Sequence, residues 1–450
     1  MSKRSDSLFS LLLVFAIAPS SYSTQQDSPS AKFEAAANSA VESFVQESSP
    51  EAVVVAIAIS DDDLFAGSYG PAVAGRQRPA TTDTSFSAAS LAHAFLVTTA
   101  LQLQAEDKLS HEDRIATYLP DLLPEGCAVR VGELMSHTSG LPDYRDFVTP
   151  EELSRGHLTY ASLLGKIVEV APVSQPGECV QINATDSLLL AALLEKISGM
   201  PADELLQEFI FDKLGMDNTD YDLDASTSEA SAKEPEEGRL AFLPKGMTST
   251  VSDLLLFQRG LLDLTLLASD DLADMNDLVR LSDGSSAGCG LGVKHVQLQD
   301  SDGIILGEVD AESAAQVAYF PEYSLIVVVM ARVEEADVGD LSYDLARLVI
   351  AKPEAQLLDL LLTEEGTRPY LGQYQVGCST VVINATEGRI VLDEMDEVPL
   401  VFHNQGNHLF IASSDPGLRI TFEVVENIAR SFTLERHGFL TKAVRFRKDR

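Results

Sequence analysis

The stretch Phe86-Ser87-Ala88-Ala89-Ser90-Leu91-Ala92-His93-Ala94-Phe95 runs without a break into an apolar segment carrying Leu96, Ala100, Leu101 and Leu103. That spacing predicts a short loop delivering Ser90 to the start of a buried helix. A serine placed there has two readings. With a base in reach, its hydroxyl becomes a nucleophile, and the N–H groups of the helix start can receive a developing oxyanion. Without a base it is a good helix-capping residue and nothing more. The side chain one helical turn on, on the same face, is His93. An imidazole is largely neutral at pH 7 and can take a proton from a group three residues back. No carboxylate that would orient it is identifiable from the sequence. A lone histidine on an otherwise apolar helix is commonly a hydrogen-bonded packing residue.

Further along the chain, Lys108-Leu-Ser-His-Glu-Asp113 and Tyr118-Leu-Pro120 precede Val131-Gly-Glu-Leu-Met-Ser-His137-Thr-Ser-Gly-Leu-Pro142-Asp-Tyr144. Then come Pro176-Gly-Glu178, a helical pattern from Leu188 that closes on Glu195-Lys-Ile-Ser-Gly199, Phe211-Asp-Lys-Leu-Gly-Met216, and Gly246-Met-Thr-Ser-Thr-Val-Ser-Asp253. In order and approximate spacing this series resembles the serine β-lactamase-related and penicillin-binding-protein-like family, especially class C β-lactamase-like esterases and D,D-peptidases. The resemblance runs over roughly residues 33 to 350. It implies an α/β sandwich with a helical subdomain, with Ser90 as the nucleophile and a lysine three residues on as its base. Here that lysine is His93.

Two more of the family's chemical motifs are altered. A Tyr-x-Asn motif normally lies between the Pro-Gly and the following helix. Matching Pro176-Gly177 and Glu195-Lys196 without gaps puts Ile182-Asn183-Ala184 there, and sliding by one residue gives Gln181 and Asn183, so neither register supplies a phenol. The third motif is Lys or His, a small residue, then Gly, on the strand before Tyr319-Phe-Pro-Glu322 and Ile326-Val-Val-Val-Met330. Counting back lands on Ile305-Leu306-Gly307-Glu308, with no cation in any nearby register. An aliphatic residue followed by Glu308 should repel an anionic substrate. The resemblance gives His137, in Ser136-His-Thr-Ser-Gly140, a structural place at a turn. The eight histidines show no ligand-like pairing with cysteines or acids, so neither a metal nor a cofactor is expected.

Loss of one member of a catalytic unit costs orders of magnitude in rate, while a fold survives because packing and chemistry use different residues. The expected function is that of a catalytically impaired serine-hydrolase homologue, binding or scaffolding a small molecule, peptide or glycan. The alternative is a working esterase or peptidase in which Ser90 attacks, His93 is the base and the substrate is neutral or cationic.

Lys3 and Arg4 precede an apolar run from Leu8 to Ala18, and Ser21-Tyr22-Ser23 supplies small residues, so residues 1–23 read as a signal peptide cleaved after Ser23. No later segment is long enough to span a membrane, and a secreted or periplasmic location follows. In that oxidising setting Cys127, Cys179, Cys289 and Cys378 could form one or two disulfides whose pairing the sequence does not assign. Asn183-Ala-Thr185 and Asn384-Ala-Thr386 fit the N-glycosylation pattern. A formal charge of −37 disfavours nucleic acid and anionic membrane as partners. Acid concentrates between Asp217 and Glu237, where serines intervene and a loop is expected.

A leading helix (Phe33, Ala37, Val41, Phe44), a hairpin from Ala52 to Tyr69 around Ser60-Asp-Asp-Asp63, and strands resuming at Gly290-Leu-Gly-Val293 and Ile304 outline the first domain, residues 24–352. From Tyr370-Leu-Gly-Gln-Tyr374, alternating runs at 380–383, 389–392, 408–411, 419–424, 431–435 and 443–446 read as a small antiparallel barrel or sandwich. They resemble the lipocalin-like tail of many β-lactamase-related proteins and place a second domain at residues 353–450.

Overall fold

Strand β1 (Ala52–Ile59) is apolar at every position because both of its faces are covered. With a side-chain period of two, Val53, Val55 and Ile57 enter one core while Val54, Ala56 and Ala58 enter the other. The same alternation divides β9 (Leu325–Arg332), which pairs antiparallel with β1 from Ala52↔Arg332 to Ile59↔Leu325. These positions belong to a computed structural model that describes residues 29–71, 79–120, 127–149, 152, 160–221, 247–298, 301–307, 314–332, 338–350, 358–376, 379–394, 399–413, 418–436 and 439–446. The segment read as a signal peptide, Glu308, Cys378, and the acidic stretch beyond Tyr221 lie outside the described residues, as does the side chain of Ser90.

On the far side of β1 lies β2 (Asp62–Tyr69). Beyond β9 come β8 (Ala314–Phe320), β7 (Ser301–Leu306) and the outer strand β6 (Lys294–Leu298), so the sheet joins the two ends of the first domain. The helices Pro29–Ser48 and Val338–Arg347 close one face through Ala37, Val41, Leu341 and Leu345. The helices Ala92–Ala105, Ala184–Ser198 and Val251–Leu262 lie on the other, where Phe95 meets Phe211 and Phe257 edge-on. A separate small sheet is formed by β3 (Phe86–Ser87), β5 (Met247–Ser249) and β4 (Asp220–Tyr221), in that order.

The α/β sandwich, the leading helix and the 52–69 hairpin are as the sequence reads. The strand expected over Gly290-Leu-Gly-Val293 is instead a turn. Gly290 donates back to Val293, Gly292 takes a positive φ of 69° to donate to Met135, and regular pairing begins only at Lys294.

The C-terminal part is a closed antiparallel barrel of eight strands: β10 (Gly372–Val376), β11 (Ser379–Thr386), β12 (Arg389–Glu394), β13 (Leu400–Gly406), β14 (Leu409–Ala412), β15 (Leu418–Val425), β16 (Ile428–Arg436) and β17 (Phe439–Arg445), with β17 pairing back onto β10. Sequence patterning yields six of these runs. It marks β10 only by the opening Tyr370–Tyr374 motif and misses β13, where buried Asn404 breaks the apolar alternation by donating to Leu360 O and accepting from Gly406 N–H. The interior is filled by Tyr370, Tyr374, Phe402, Phe410, Phe422 and Phe432, with ring centroids 4.8–5.3 Å apart in the Tyr370–Phe422, Tyr374–Phe432 and Phe422–Phe432 pairs. The barrel meets the main sheet where Phe439 of β17 pairs with Val296 of β6. Among the described residues, no helix is long and apolar enough to cross a membrane.

Closure of the barrel depends on Arg445. Its guanidinium donates to the carbonyls of Pro369, Ala429 and Leu371 and lies 5.8 Å from the Tyr374 ring centroid. Arg445→Ala leaves these carbonyls short of a charged donor and should cost about 2 kcal/mol or more in urea unfolding, against about 0.5 kcal/mol or less for Lys442→Ala on the exposed face.

Candidate active-site cleft

Ser90 sits in a short 3₁₀ turn, Ala89–Leu91, held by Ala88 N–H donating to Met247 O and Leu91 N–H donating to Ala88 O. The cap position of the following helix is Leu91, which has no side-chain cap bond. Ser90 therefore precedes the cap position that its sequence context suggested. Gly307, at the end of β7, packs against this turn. A Cβ there would lie 2.5 Å from Ala315 O and about 3 Å from Leu91, and its φ is +86°.

His93 is buried and fully committed. Its Nε2 lies 3.1 Å from Met135 O and its Nδ1 lies 2.9 Å from Ser187 Oγ. A carbonyl oxygen can only accept, so Nε2 carries the proton, and the Ser187 hydroxyl then donates into the Nδ1 lone pair. Burial pushes the His93 pKa well below its ordinary value. The neighbouring His137 adds to this, and the bond to Met135 opposes it. The ring is thus a neutral bridge between three chain segments. Met135 O also receives the Gly292 N–H, which brings the 289–294 turn onto the same atom.

Sequence reasoning found no carboxylate for an imidazole, yet the fold supplies one, to His137 and not to His93. His137 Nδ1 lies 3.1 Å from Asp186 Oδ2, and the His137 and His93 rings stack with centroids 4.0 Å apart. Asp186 has no solvent exposure. It also accepts from Ser139 Oγ at 2.5 Å and from Asn183 Nδ2 at 3.1 Å. Burial pushes its carboxyl upward, while His137, Ser139 and Asn183 pull the other way. Three donors suit an acceptor-only carboxylate, and its place in the first turn of the Ala184–Ser198 helix adds a favourable dipole. The local signal was present in Asn183-Ala-Thr-Asp-Ser187. Asn183 caps this helix by accepting Asp186 N–H at 2.9 Å, and the next two polar residues turn toward the loop 137–145. Thr185 donates to Pro142 O and receives Tyr144 N–H, and Asp143, paired with Arg145, receives Ala184 N–H.

The cleft beside this network has a cavity of about 30 Å³, lined in part by His93, His137, Ile182, Cys289, Lys294 and Ile305. Ile182 is 40% exposed there, in the place where the resemblance calls for tyrosine. At the third motif the pleat divides the side chains. Leu306 packs in the first core, while Ile305 packs in the second core and also lines the cavity, so no charged side chain comes from either position. Lys294, paired across from Ile305 on β6, also lines the cavity and is the cation the neighbouring strand brings to it. No group of His, Cys, Asp and Glu suited to a metal occurs among the described residues.

Cys179, next to the cleft-lining Val180, is disulfide-bonded, whereas Cys127 and Cys289 are thiols. Asn183 is only 2% exposed and both ends of its amide are bonded, which leaves no room for a glycan, while Asn384 is exposed on β11.

Residues 37–352 match the family model described as Beta-lactamase. Penicillin-binding protein 4* of Bacillus subtilis (strain 168) is 23% identical over 422 residues, covering 85% of this chain and 92% of that protein. A putative D-alanyl-D-alanine carboxypeptidase of Escherichia coli (strain K12) is 32% identical over 152 residues, 31% of this chain and 34% of that protein. An octameric penicillin-binding protein homologue from Pyrococcus abyssi superposes with a TM-score of 0.59 at 19% identity, over 90% of this chain and 99% of that one. A class C beta-lactamase superposes with a TM-score of 0.58 at 19% identity, over 74% and 99%.

Asn183→Ala removes a helix cap and one donor to a buried carboxylate. It should cost about 1–3 kcal/mol in chemical denaturation, against about 0.5 kcal/mol or less for Asn384→Ala.

Proposed function

This chain belongs to the beta-lactamase family, and within it we propose a member that has given up acyl transfer and keeps the cleft for binding. The observation that carries this reading is His93. Where the family pattern has lysine, the chain has an imidazole whose two nitrogens are already bonded to Met135 O and Ser187 Oγ. A general base must offer a lone pair to the proton it removes, and the Nδ1 lone pair is taken by a hydroxyl. Ile182 in the cleft cannot relay a proton, and Leu306 and Ile305 cannot polarise an acyl group. The stack and its carboxylate act instead as packing that fixes the cleft wall.

The ligand is a small molecule, peptide or glycan, bound in the cleft or by the barrel. We read the first domain as ending near residue 352 and the barrel as a second domain. The basic, then apolar start of the chain supports export, and the names of the similar proteins, penicillin-binding protein and D-alanyl-D-alanine carboxypeptidase, agree with a role at the cell envelope.

A fluorophosphonate probe tests this directly. The folded protein at pH 7.5 should show no labelling above that of Ser90→Ala and no turnover of short-chain esters. Labelling that disappears in both Ser90→Ala and His93→Ala would replace this reading with a working hydrolase that uses the two as nucleophile and base.

A further inference from the structure

We propose that the stacked histidines gate the cleft by proton count: the Asp186, His137 and His93 set holds one proton more than two neutral rings carry at neutral pH, and uptake of another on mild acidification parts the start of the Ala92–Ala105 helix from the 136–140 loop and the Ala184–Ser198 helix. This rests on the binding reading above and adds regulation to the same cleft.

The geometry supplies each part. Asp186 is completely buried, and its side-chain partners are His137, Ser139 and Asn183, none of which carries a permanent charge. A carboxylate in that setting is balanced most directly by a proton on His137. The second imidazole, His93, lies 4.0 Å away centroid to centroid and is likewise buried, so a proton on it would face a like charge at close range. Its present bonds also suit the neutral ring alone. Ser187 now donates to Nδ1, and a protonated Nδ1 would force that hydroxyl to turn and accept. Burial and His137 both already oppose the charged form of His93.

The other ionisable groups around the stack do not relieve this. From the Val131–Met135 helix, Glu133 is held by the Arg130 N–H at 2.7 Å, and its carboxyl is raised, mainly by burial. From the 289–294 turn, the Cys289 thiol reaches Ser136 O at 3.6 Å, and Lys294 lines the same cavity as the two rings, where its positive charge opposes a further proton on the pair. Before the 184–198 helix, Asp143 is paired with Arg145. The carboxylate bonded to the pair is Asp186, through His137 Nδ1.

The sign follows from linkage. Because the folded pKa of His93 is depressed, the closed cleft binds fewer protons than an opened one in which the ring meets water. Closure is therefore favoured above the ordinary histidine pKa of about 6.5 and weakens as pH falls below it. His93 joins the helix behind Ser90 to both other walls, so its release opens the cleft while leaving the barrel and its separate core in place.

Amide hydrogen exchange on the full chain at pH 7.5 and pH 5.0, corrected for the intrinsic pH dependence of exchange, tests the gate. Peptides covering 89–105, 136–144 and 180–190 should exchange at least about tenfold faster at pH 5.0, while barrel peptides from 372–394 stay unchanged. In His93→Gln, whose amide can keep both bonds without titrating, the difference should vanish. Unchanged exchange of all three segments in the wild-type chain overturns the gate, as does a response that persists in His93→Gln. The wild-type comparison stands by itself if the variant does not fold. Ester turnover at pH 7.5 tests the binding reading independently, because it makes no use of the low-pH state.

Discussion

A carboxylate with no access to water governs the architecture of the cleft. Asp186 sits in the first turn of the Ala184–Ser198 helix, and a buried acceptor of this kind must collect donors or cost several kcal/mol. It draws Ser139 and His137 in from the 136–140 loop and Asn183 in from the helix cap. His137 adopts a φ of +53° at that loop, which its bond to Asp186 and its stack on His93 help to hold. Through His93 the same network reaches the helix that follows Ser90, and through Met135 O it reaches the 289–294 turn. Four segments distant in sequence are thereby fixed around one cleft.

That arrangement supports the proposal that the scaffold has been kept without acyl transfer. The polar groups at the cleft floor bond to one another, and the exposed position in its mouth is Ile182. In a hydrolase the groups beside the nucleophile must have a lone pair or a charge left over for the substrate. Here both nitrogens of His93 are bonded, which stabilises a buried ring and leaves it no lone pair to offer.

Much of the fold was legible in the sequence because packing leaves a periodic trace. The unbroken apolar runs of β1 and β9 announce strands covered on both faces, and the order of motifs from Ser90 to Asp253 places the helices around them. The site was legible in its losses, since His93, Ile182 and the aliphatic pair Ile305-Leu306 are visible as departures from a pattern. Its new partnerships were not. Asp186 and His137 lie 49 residues apart, and only the docking of a helix start onto a loop brings them together. The division of Ile305 and Leu306 between two cores depends on the pleat, which a one-residue change of register would invert. Strand β13 stayed hidden because an inward polar residue, Asn404, serves the backbone of the 358–363 segment instead of the hydrophobic pattern.

The protonation state of His93 is the most direct test of the central claim that this ring is a structural bridge and not a base. Nitrogen-15 NMR of the histidine-labelled protein at pH 7, with His93→Gln used to assign its signals, reads which ring nitrogen carries hydrogen. A neutral ring protonated at Nε2, with Nδ1 as a hydrogen-bond acceptor, is the expected result. A ring protonated at Nδ1, or one titrating near the ordinary histidine pKa, would contradict it and return His93 to the role of a base for Ser90.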